Sequence, residues 1–397
     1  MILQPPLAAE PMIATPESCQ ELLAKMVSFN TVVAYHSGIA EAERDLSDYL
    51  TALAAAWGYS TRELPIEGAC GNLLVEHFVD PKLPWLMFDA HMDTVGVEGM
   101  TIDPFGGEVR DGRLYGRGAC DTKGTGAAML WALRDYAAGG EQPNNIAILF
   151  SVGEEHVQTG ARAFVEQHLS MLEWKPAGVV VGEPTQMNVL GATGGFVRWK
   201  MSTHGQACHS SKPDRGHNAI YDMARLITVL EDQYISGVQA THPLVGKASA
   251  AITVITGGKQ VNVVPAEATI TFDRRLVPGE EGQRELTAVQ TLAEQVASAR
   301  PGMTVTHHQF ESAPPMDTID DGALADRALA AIASVGIESH IAGEPFTTNG
   351  NHFAGAGLPT IVVGPGDIAQ AHTPDEWIDL EQLARGVEGY AAIMRST

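Results

Sequence analysis

Short apolar runs that end directly in acidic or histidine residues recur along this chain. Three of them are residues 85–88 before His91 and Asp93, residues 146–152 before Glu154 and Glu155, and residues 178–181 before Glu183. An apolar run of this length predicts a buried strand. Side chains two positions apart on a strand point the same way, so we expect His91 and Asp93 to share one side of their strand end. This spacing suits a metal-binding imidazole with a carboxylate that orients it, but alone it equally fits a surface histidine, which is the commoner case at a strand end.

Helical and strand patterns alternate through the first part of the chain. Helices are predicted from Thr15-Pro16-Glu17 onward and at residues 39–57, 123–138 and 161–171, and further strands at residues 59–64 and 72–78. Residues 101–118 are rich in glycine and charge and predict a loop with a short hairpin. The alternation favours an α/β fold with a mixed, mostly parallel sheet sandwiched by helices.

A different pattern begins near residue 193. Strands are predicted at residues 196–203, 250–256, 268–272 and 304–310, with helices at residues 218–233 and 280–299. This order is the split ferredoxin-like pattern of an inserted α+β domain. After a linker at Ser312-Ala-Pro-Pro315 the first pattern returns, with a helix at 323–335, a strand at 359–363 and a helix from Leu380. We therefore expect a catalytic domain in two parts, 1–192 and 312–397, and an inserted lid or dimerisation domain at 193–311.

The acidic balance of the chain excludes several classes of partner. Its 397 residues carry a net charge of −23, which disfavours binding to nucleic acid or to anionic membranes. The four cysteines show no paired spacing, which suits a reducing cytoplasm. The first residues lack the pattern of a signal peptide, and no apolar run is long enough to span a bilayer. A cytoplasmic location is the expectation.

Histidine and carboxylate side chains follow the predicted strands or lie in predicted loops. They are His91, Asp121, the pair Glu154 and Glu155, Glu183, and His372. Alone, Asp121 could be a helix cap, and the Gly116–Gly124 stretch does not have the spacing of a phosphate-binding loop. Together these nitrogen and oxygen donors predict a divalent cation site, and the donor mix suits zinc. A serine hydrolase is disfavoured because no G-x-S-x-G is present.

The motifs, taken in order, resemble the two-zinc aminoacylase/carboxypeptidase family that contains acetylornithine deacetylase, succinyl-diaminopimelate desuccinylase and glutamate carboxypeptidase. The resemblance rests on His91-Met-Asp93, Gly116-Arg-Gly-Ala-Cys-Asp121, Glu154-Glu155, Gly182-Glu183-Pro-Thr, His209-Ser-Ser-Lys-Pro, Asn262-Val-Val-Pro265, Asp273-Arg-Arg275 and His372-Thr-Pro-Asp-Glu376. Two departures stand out: Gly153 precedes the glutamate pair where family members often carry Asp, and Phe346–Asn351 carries amides where many relatives have an acid.

The resemblance implies a role for each matched residue. Asp121 would bridge two zinc ions, one also held by His91 and Glu183, the other by Glu155 and His372, with Co²⁺ or Mn²⁺ as substitutes. Asp93 would orient His91, and Glu154 would be the general base, which fits a carboxylate next to a ligand but off the metal. In the inserted domain His209 would stabilise the oxyanion and reach the other subunit of a homodimer. Arg275 would clamp the substrate carboxylate, Asn262 would lie on the substrate side, and Arg274 would be a surface neighbour.

The predicted activity is hydrolysis of the amide bond of an N-acyl amino acid, acetylornithine deacetylase-like. A desuccinylase or a carboxypeptidase or dipeptidase for small peptides is the alternative within the family. An inactive amino-acid-binding relative would have lost a ligand or the base, whereas all are present here. His156, His217 and His352 are expected to be structural or peripheral.

Overall fold

The computed structural model describes residues 14–318 and 323–397, so the start of the chain lies outside it. The described chain divides into two compact units. The first lies within Met1–Val189, Asp321–Ile341 and Leu358–Thr397, and the second within Leu190–Asp320 and Ala342–Gly357.

The helices of the described residues run in chain order from α1 to α11. They are α1 (Cys19–Val27), α2 (Ala34–Ser37), α3 (Arg44–Ala56), α4 (Lys123–Ala137), α5 (Glu154–Val157), α6 (Thr159–Ala163), α7 (Ala219–Gln233), α8 (Gly282–Ser298), α9 (Ala323–Ser334), α10 (Gly350–Gly355) and α11 (Leu380–Arg395). After α6 the chain continues as a π-helix at Phe164–His168 and a 3₁₀ turn at Leu169–Met171, which together cover the predicted helix at 161–171.

The strands of the same residues run in chain order from β1 to β20. They are β1 (Ser60–Ile66), β2 (Ala69–His77), β3 (Trp85–His91), β4 (Val109–Arg110), β5 (Arg113–Tyr115), β6 (Asn145–Ser151), β7 (Pro176–Val181), β8 (Val189–Thr193), β9 (Gly195–His204), β10 (Cys208–His209), β11 (Thr241–His242), β12 (Gly246–Lys247), β13 (Ser249–Gly257), β14 (Val263–Val264), β15 (Glu267–Leu276), β16 (Thr304–Ala313), β17 (Met316–Asp317), β18 (Ile341–Glu344), β19 (Thr360–Val362) and β20 (Trp377–Asp379).

The main sheet of the first unit has the order β1-β2-β6-β3-β7-β19. Its centre is parallel, through the pairs β6–β3, β3–β7 and β7–β19, while β1–β2 and β2–β6 are antiparallel. Every residue of β6 is buried, as an apolar strand covered on both faces requires. The helix α4 is buried almost all round and packs on α11. The predicted α/β class is confirmed.

The second unit holds a four-stranded antiparallel sheet in the order β13-β15-β9-β16. Its connections run strand, α7, strand, strand, α8, strand, which is the order that the sequence predicts for this stretch. Residues of β15 alternate strictly between buried and half-buried or exposed. The buried side packs with α7 and α8 around Trp199 and Phe272.

The predicted start of the first helix is wrong. Ser18, not a residue near Pro16, caps α1: its hydroxyl accepts the N–H of Glu21, and the Glu21 carboxylate accepts the N–H of Glu17. These two hydrogen bonds resemble a capping box, with the Glu21 carboxylate bound one residue before the cap, and they place the first helical residue at Cys19. The expected apolar stripe of Leu22, Leu23, Met26 and Val27 is buried as predicted.

The predicted helix at residues 39–57 is too long. The helix α3 begins only at Arg44. The preceding helix α2 ends at Ser37, Gly38 after it adopts the left-handed conformation (φ 72°), and a turn separates the two helices. The predicted linker at Ser312–Pro315 is also partly wrong. Ser312 and Ala313 belong to β16 because β9 continues to Gly195 and offers them ladder partners.

The unit boundaries differ from the expected ones at the end of the second unit. Residues 342–357 group with that unit, although the sequence predicted a single return to the first at residue 312. The side chain of Asn351 gives the reason. Its amide donates to the carbonyls of Gly194 and Pro314, and its oxygen accepts from the Thr193 hydroxyl and the Thr348 N–H.

Candidate metal centre

Three strand ends of the first unit place ligands at one edge of the sheet. In the parallel register His91 lies opposite Ser151, and Asp89 lies opposite Val181, so β3, β6 and β7 finish side by side. His91 is the last residue of β3, and Glu183 follows β7. Because apolar strands deliver them there, both side chains are buried, at 3% and 5% exposure.

Asp121 lies at the meeting point of two ligand groups. One group is His91, Asp121 and Glu183, and the other is Asp121, Glu155 and His372, with donor atoms of each group within 4.8 Å of one another. The two oxygens of Asp121 face different histidines: Oδ1 lies 3.1 Å from His91 Nε2, and Oδ2 lies 3.3 Å from His372 Nε2. Thr122, not Asp121, occupies the cap position of α4. The cap interpretation of Asp121 is therefore wrong.

His372 reaches this site from the loop between β19 and β20. Its Nε2 lies 3.0 Å from Glu155 Oε2, and its backbone has a positive φ of 59°. A residue other than glycine rarely adopts this conformation, and such positions concentrate at functional sites. The side chain is 55% exposed, so this group is open on the His372 side.

Asp93 holds the glutamate pair more directly than it holds His91. His91 Nδ1 lies 2.9 Å from the backbone carbonyl of Asp93 and 3.6 Å from its carboxylate. The two carboxylate oxygens accept the backbone N–H groups of Glu154 and Glu155, each at 3.0 Å. Asp93 thus fixes the turn that carries both glutamates.

Glu43 is a residue of this site that sequence reasoning missed. It is 5% exposed, and its carboxylate accepts the N–H of Gly153. Together with the Asp93 carboxylate, it therefore binds the three consecutive backbone N–H groups of residues 153–155. Gly153 adopts a left-handed conformation (φ 64°), where a Cβ would lie 3.2 Å from Thr159. Glycine therefore suits the position where family members often carry Asp. The Glu41-Ala-Glu43 stretch gave no local signal for this role.

The site carries more buried negative charge than the protein neutralises. Burial, followed by the charge of Asp121, raises the pKa of Glu155 to about 7 and that of Glu183 well above its usual range. Hydrogen bonds to Asp121 and then Glu155 raise the pKa of His372 to about 10. Burial opposes the charged form of His91, but hydrogen bonds to Asp121 and Asp93 raise its pKa nevertheless.

Those shifts fit a site for cations. The crowded carboxylates raise the pKa of both histidines, at positions where metal ions could supply the positive charge instead. The donors are imidazole nitrogens and carboxylate oxygens, the set that zinc accepts. The residues present therefore fit two divalent cations that share Asp121.

Glu154 lies beside these ligands but belongs to neither group. Burial raises its pKa to about 8, and the Gln158 amide donates to its Oε1 at 3.1 Å. A carboxylate whose pKa lies near neutrality is suited to act as a general base.

The second unit contains the remaining predicted residues, and it brings two of them together. β10 pairs with β14, and the N–H of Ser210 donates to the carbonyl of Asn262, so His209 and Asn262 lie on neighbouring segments. His209 is exposed, and its Nδ1 accepts the Ser211 N–H at 3.2 Å. These contacts of Nδ1, together with the Ser211 hydroxyl at 2.8 Å, favour a proton on Nε2.

The two neighbouring arginines of β15 point to opposite faces. Arg275 is 40% exposed and its Nε lies 2.8 Å from Asp273 Oδ1. Arg274 is 1% exposed and pairs with Glu280, with Tyr234 Oη 3.1 Å from its Nε. The expectation that Arg274 is a surface residue is wrong, because the strand alternation turns it toward α8.

Two of the three peripheral histidines have contacts away from the ligands. His156 stacks on Tyr35 with ring centroids 4.2 Å apart, and His217 pairs with the buried Asp222. His352 lies in α10 of the second unit. The contacts of His156 and His217 are structural.

Comparison with known proteins places the chain in a family. Residues 87–396 match the model of peptidase family M20/M25/M40. An acetylornithine deacetylase from Myxococcus xanthus is 29% identical over 304 residues, covering 74% of this chain and 75% of that protein. A probable succinyl-diaminopimelate desuccinylase from Staphylococcus epidermidis is 26% identical over 387 residues, covering 89% of this chain and 93% of that protein.

Solved structures agree at the level of fold. An M20 family metallo-carboxypeptidase from Sulfolobus solfataricus superposes with a TM-score of 0.79 at 17% identity, covering 96% of this chain and 99% of that one. A dinuclear metal-binding M20 peptidase from Bacillus subtilis gives a TM-score of 0.70 at 17% identity, covering 95% and 98%.

The fold and site define a metal-dependent hydrolase of amide bonds, as the sequence predicted. The chain belongs to peptidase family M20/M25/M40. Within the described residues, no helix has the length and apolar character needed to cross a membrane.

Proposed function

We propose that this protein hydrolyses the amide bond of N-acyl amino acids, with N-acetylated substrates such as acetylornithine the first choice. The observation that carries the proposal is the pair of candidate ligand groups sharing Asp121, with the half-buried Glu154 beside them and outside both. The relatives named acetylornithine deacetylase support the choice of acyl group.

Each ligand group would hold one cation. His91, Asp121 and Glu183 would hold one zinc ion, and Asp121, Glu155 and His372 the other. Ions held there would supply Lewis acidity to the amide carbonyl and to the attacking water. Asp93 serves this arrangement by fixing the turn of Glu154 and Glu155.

The remaining chemistry falls to side chains of the protein. A carboxylate oxygen of Glu154 takes a proton from the attacking water and delivers it to the leaving nitrogen as the C–N bond breaks. The products are a carboxylate and a free amine. Arg275 would bind the substrate carboxylate. Asn262, which lies on the segment next to His209, would contact the substrate separately, and His209 Nε2–H would donate to the developing oxyanion.

We further propose a cytoplasmic homodimer that pairs through the second unit. β13 is one of the two edge strands of that unit's four-stranded sheet, and Val254 and Ile255 on it are 51% and 59% exposed. An exposed apolar edge strand favours pairing with another strand.

The test is turnover of N-acetyl, N-succinyl and N-formyl amino acids and of dipeptides by zinc-loaded protein. Preference for N-acetyl substrates is expected. Preference for N-succinyl substrates would instead assign the desuccinylase activity named for some relatives. Binding of these compounds without turnover would overturn the proposal.

A further inference from the structure

A buried ion pair lies directly behind the ligand groups. Glu376 is 1% and Arg117 3% exposed, and Arg117 Nη1 lies 2.8 Å from Glu376 Oε2. The same Oε2 accepts the N–H of Gly118 at 3.1 Å. Oε1 accepts the N–H groups of Cys120 at 2.8 Å and of Asp121 at 2.9 Å. One carboxylate thus satisfies four donors, three of them backbone groups in the segment that ends in the shared ligand.

The guanidinium of Arg117 continues this network to two other loops. Its Nε donates to the carbonyl of Gly96 at 3.0 Å, in the loop that follows His91 and Asp93. Its Nη2 donates to the carbonyl of Thr373 at 3.2 Å, next to His372. The pair therefore joins three loops, each of which carries or follows a ligand.

Stability alone does not account for such a pair. Removing two charges from water costs about as much as their attraction returns, so apolar side chains of similar volume often stabilise a fold equally well. What apolar side chains cannot do is bind backbone N–H groups at fixed positions. Glu376 makes such contacts, because its carboxylate binds three backbone N–H groups.

We propose that Glu376, locked by Arg117, is a positioning residue that sets the placement of Asp121 relative to His372. Hydrogen bonds behind metal ligands orient the ligands and tune the affinity for the metal. This inference rests on the proposed metal-dependent function. Glu376 lies on the His372 loop and binds the Asp121 backbone. It therefore acts on two of the three residues in the group of Asp121, Glu155 and His372, but on one of the three in the group of His91, Asp121 and Glu183. The group with Glu155 and His372 should therefore weaken more than the group with Glu183.

The experiment compares Glu376→Gln with Glu76→Gln in the full chain. Glu76 is a matched control because it is buried in the same unit and bound by an arginine (Arg62 Nη2 at 3.2 Å) and by Trp174 Nε1 at 2.8 Å, on β2 away from the ligands. Zinc affinity and stoichiometry are measured by competition with a chelator, and the melting temperature is measured on metal-free protein. Both variants should lower that melting temperature.

Only Glu376→Gln should weaken zinc binding, by about 10- to 100-fold, with the stoichiometry falling from two ions toward one. Equal zinc affinity in Glu376→Gln and wild type, or equal losses in both variants, would overturn the inference. If Glu376→Gln does not fold, the same measurements are made on Arg117→Lys. This variant keeps a positive charge but loses the simultaneous contacts to Glu376, Gly96 and Thr373. Unchanged zinc affinity in Arg117→Lys would also overturn the inference. Wild-type protein that binds no zinc would contradict the proposed function instead.

Discussion

The backbone N–H of Glu154 donates to the Asp93 carboxylate at 3.0 Å across 61 positions of sequence. This contact holds the proposed base in place through its backbone and leaves its side chain outside both ligand groups. Chemistry and metal binding can therefore be separated by mutation.

Glu154→Gln should retain two zinc ions and lose about 10²–10⁴ in kcat, because the base is removed while the ligands remain. Glu155→Gln is the control one position away, and it should lose metal as well as activity. The measurements are metal analysis and steady-state kinetics. An empty site in Glu154→Gln would reassign this residue as a ligand.

Asp121→Asn should reduce binding of both cations, whereas Glu183→Gln should reduce binding of one. The reason is that Asp121 presents one oxygen to each group and Glu183 belongs to a single group. Zinc titration with calorimetry gives both stoichiometries. Equal losses in the two variants would contradict the shared-ligand assignment.

Arg275→Ala and Arg274→Ala should fail in different ways. Loss of the Arg275 clamp should raise KM by one to two decades for substrates with a free α-carboxylate, because one charge-assisted hydrogen bond contributes about 1.5–3 kcal/mol of binding free energy. The KM of matched amide substrates should rise less. Loss of Arg274 leaves Glu280 without its buried partner and should lower the free energy of unfolding by about 3–5 kcal/mol. Steady-state kinetics on both substrate types measure the effect of Arg275→Ala, and urea unfolding measures the effect of Arg274→Ala. A uniform loss over both substrates in Arg275→Ala would make Arg275 structural.

His209→Ala should keep its zinc and lose about 10²–10³ in kcat, the effect of removing one donor to an oxyanion. If the donor acts across the proposed dimer, mixing this variant with Glu154→Gln protein should restore activity, since one site then receives both native residues. His204→Ala, from the same unit, is the control and should turn over normally. Mixed dimers verified by mass spectrometry but without activity would confine His209 to its own chain.

The stability of the metal-free protein should fall as the pH rises from about 4.5 to 7, because Glu43 loses its proton in this range. Burial, followed by the charge of Asp93, raises its pKa from 4.5 to about 7, so the folded state binds more protons than the unfolded state in this window. Glu43→Gln removes this titrating group. Above pH 7 its free energy of unfolding should exceed that of wild type by at most about 3 kcal/mol, and below pH 4.5 the two should differ little. Chemical unfolding across this range gives the difference.

Glu41→Gln is the control for that measurement, because Glu41 lies two positions away and is exposed. It should show no such pH-dependent gain. A constant difference between Glu43→Gln and wild type at every pH would argue against a raised pKa for Glu43.

The convergence of three candidate ligands was predictable from sequence because each of them follows an apolar strand. The runs before His91, Glu155 and Glu183 are visible without a structure, and parallel pairing brings their ends to one edge. The supporting contacts were not predictable. Arg117 and Glu376 meet across 259 positions, and neither lies in a local pattern that indicates its partner. The start of α1 was readable from the capping contacts of Ser18 and Glu21, which outweigh the proline before them.

The two units are interleaved along the chain, and this has a consequence for synthesis on the ribosome. The four strands β9, β13, β15 and β16 all emerge before β19, α11 and His372. Domains generally fold as units in the order in which they are made. The second unit can therefore fold on the nascent chain while β7 still lacks its neighbour β19. His372 follows all four of these strands in the chain, so the group of Asp121, Glu155 and His372 is completed only after the sheet of the second unit has been synthesised.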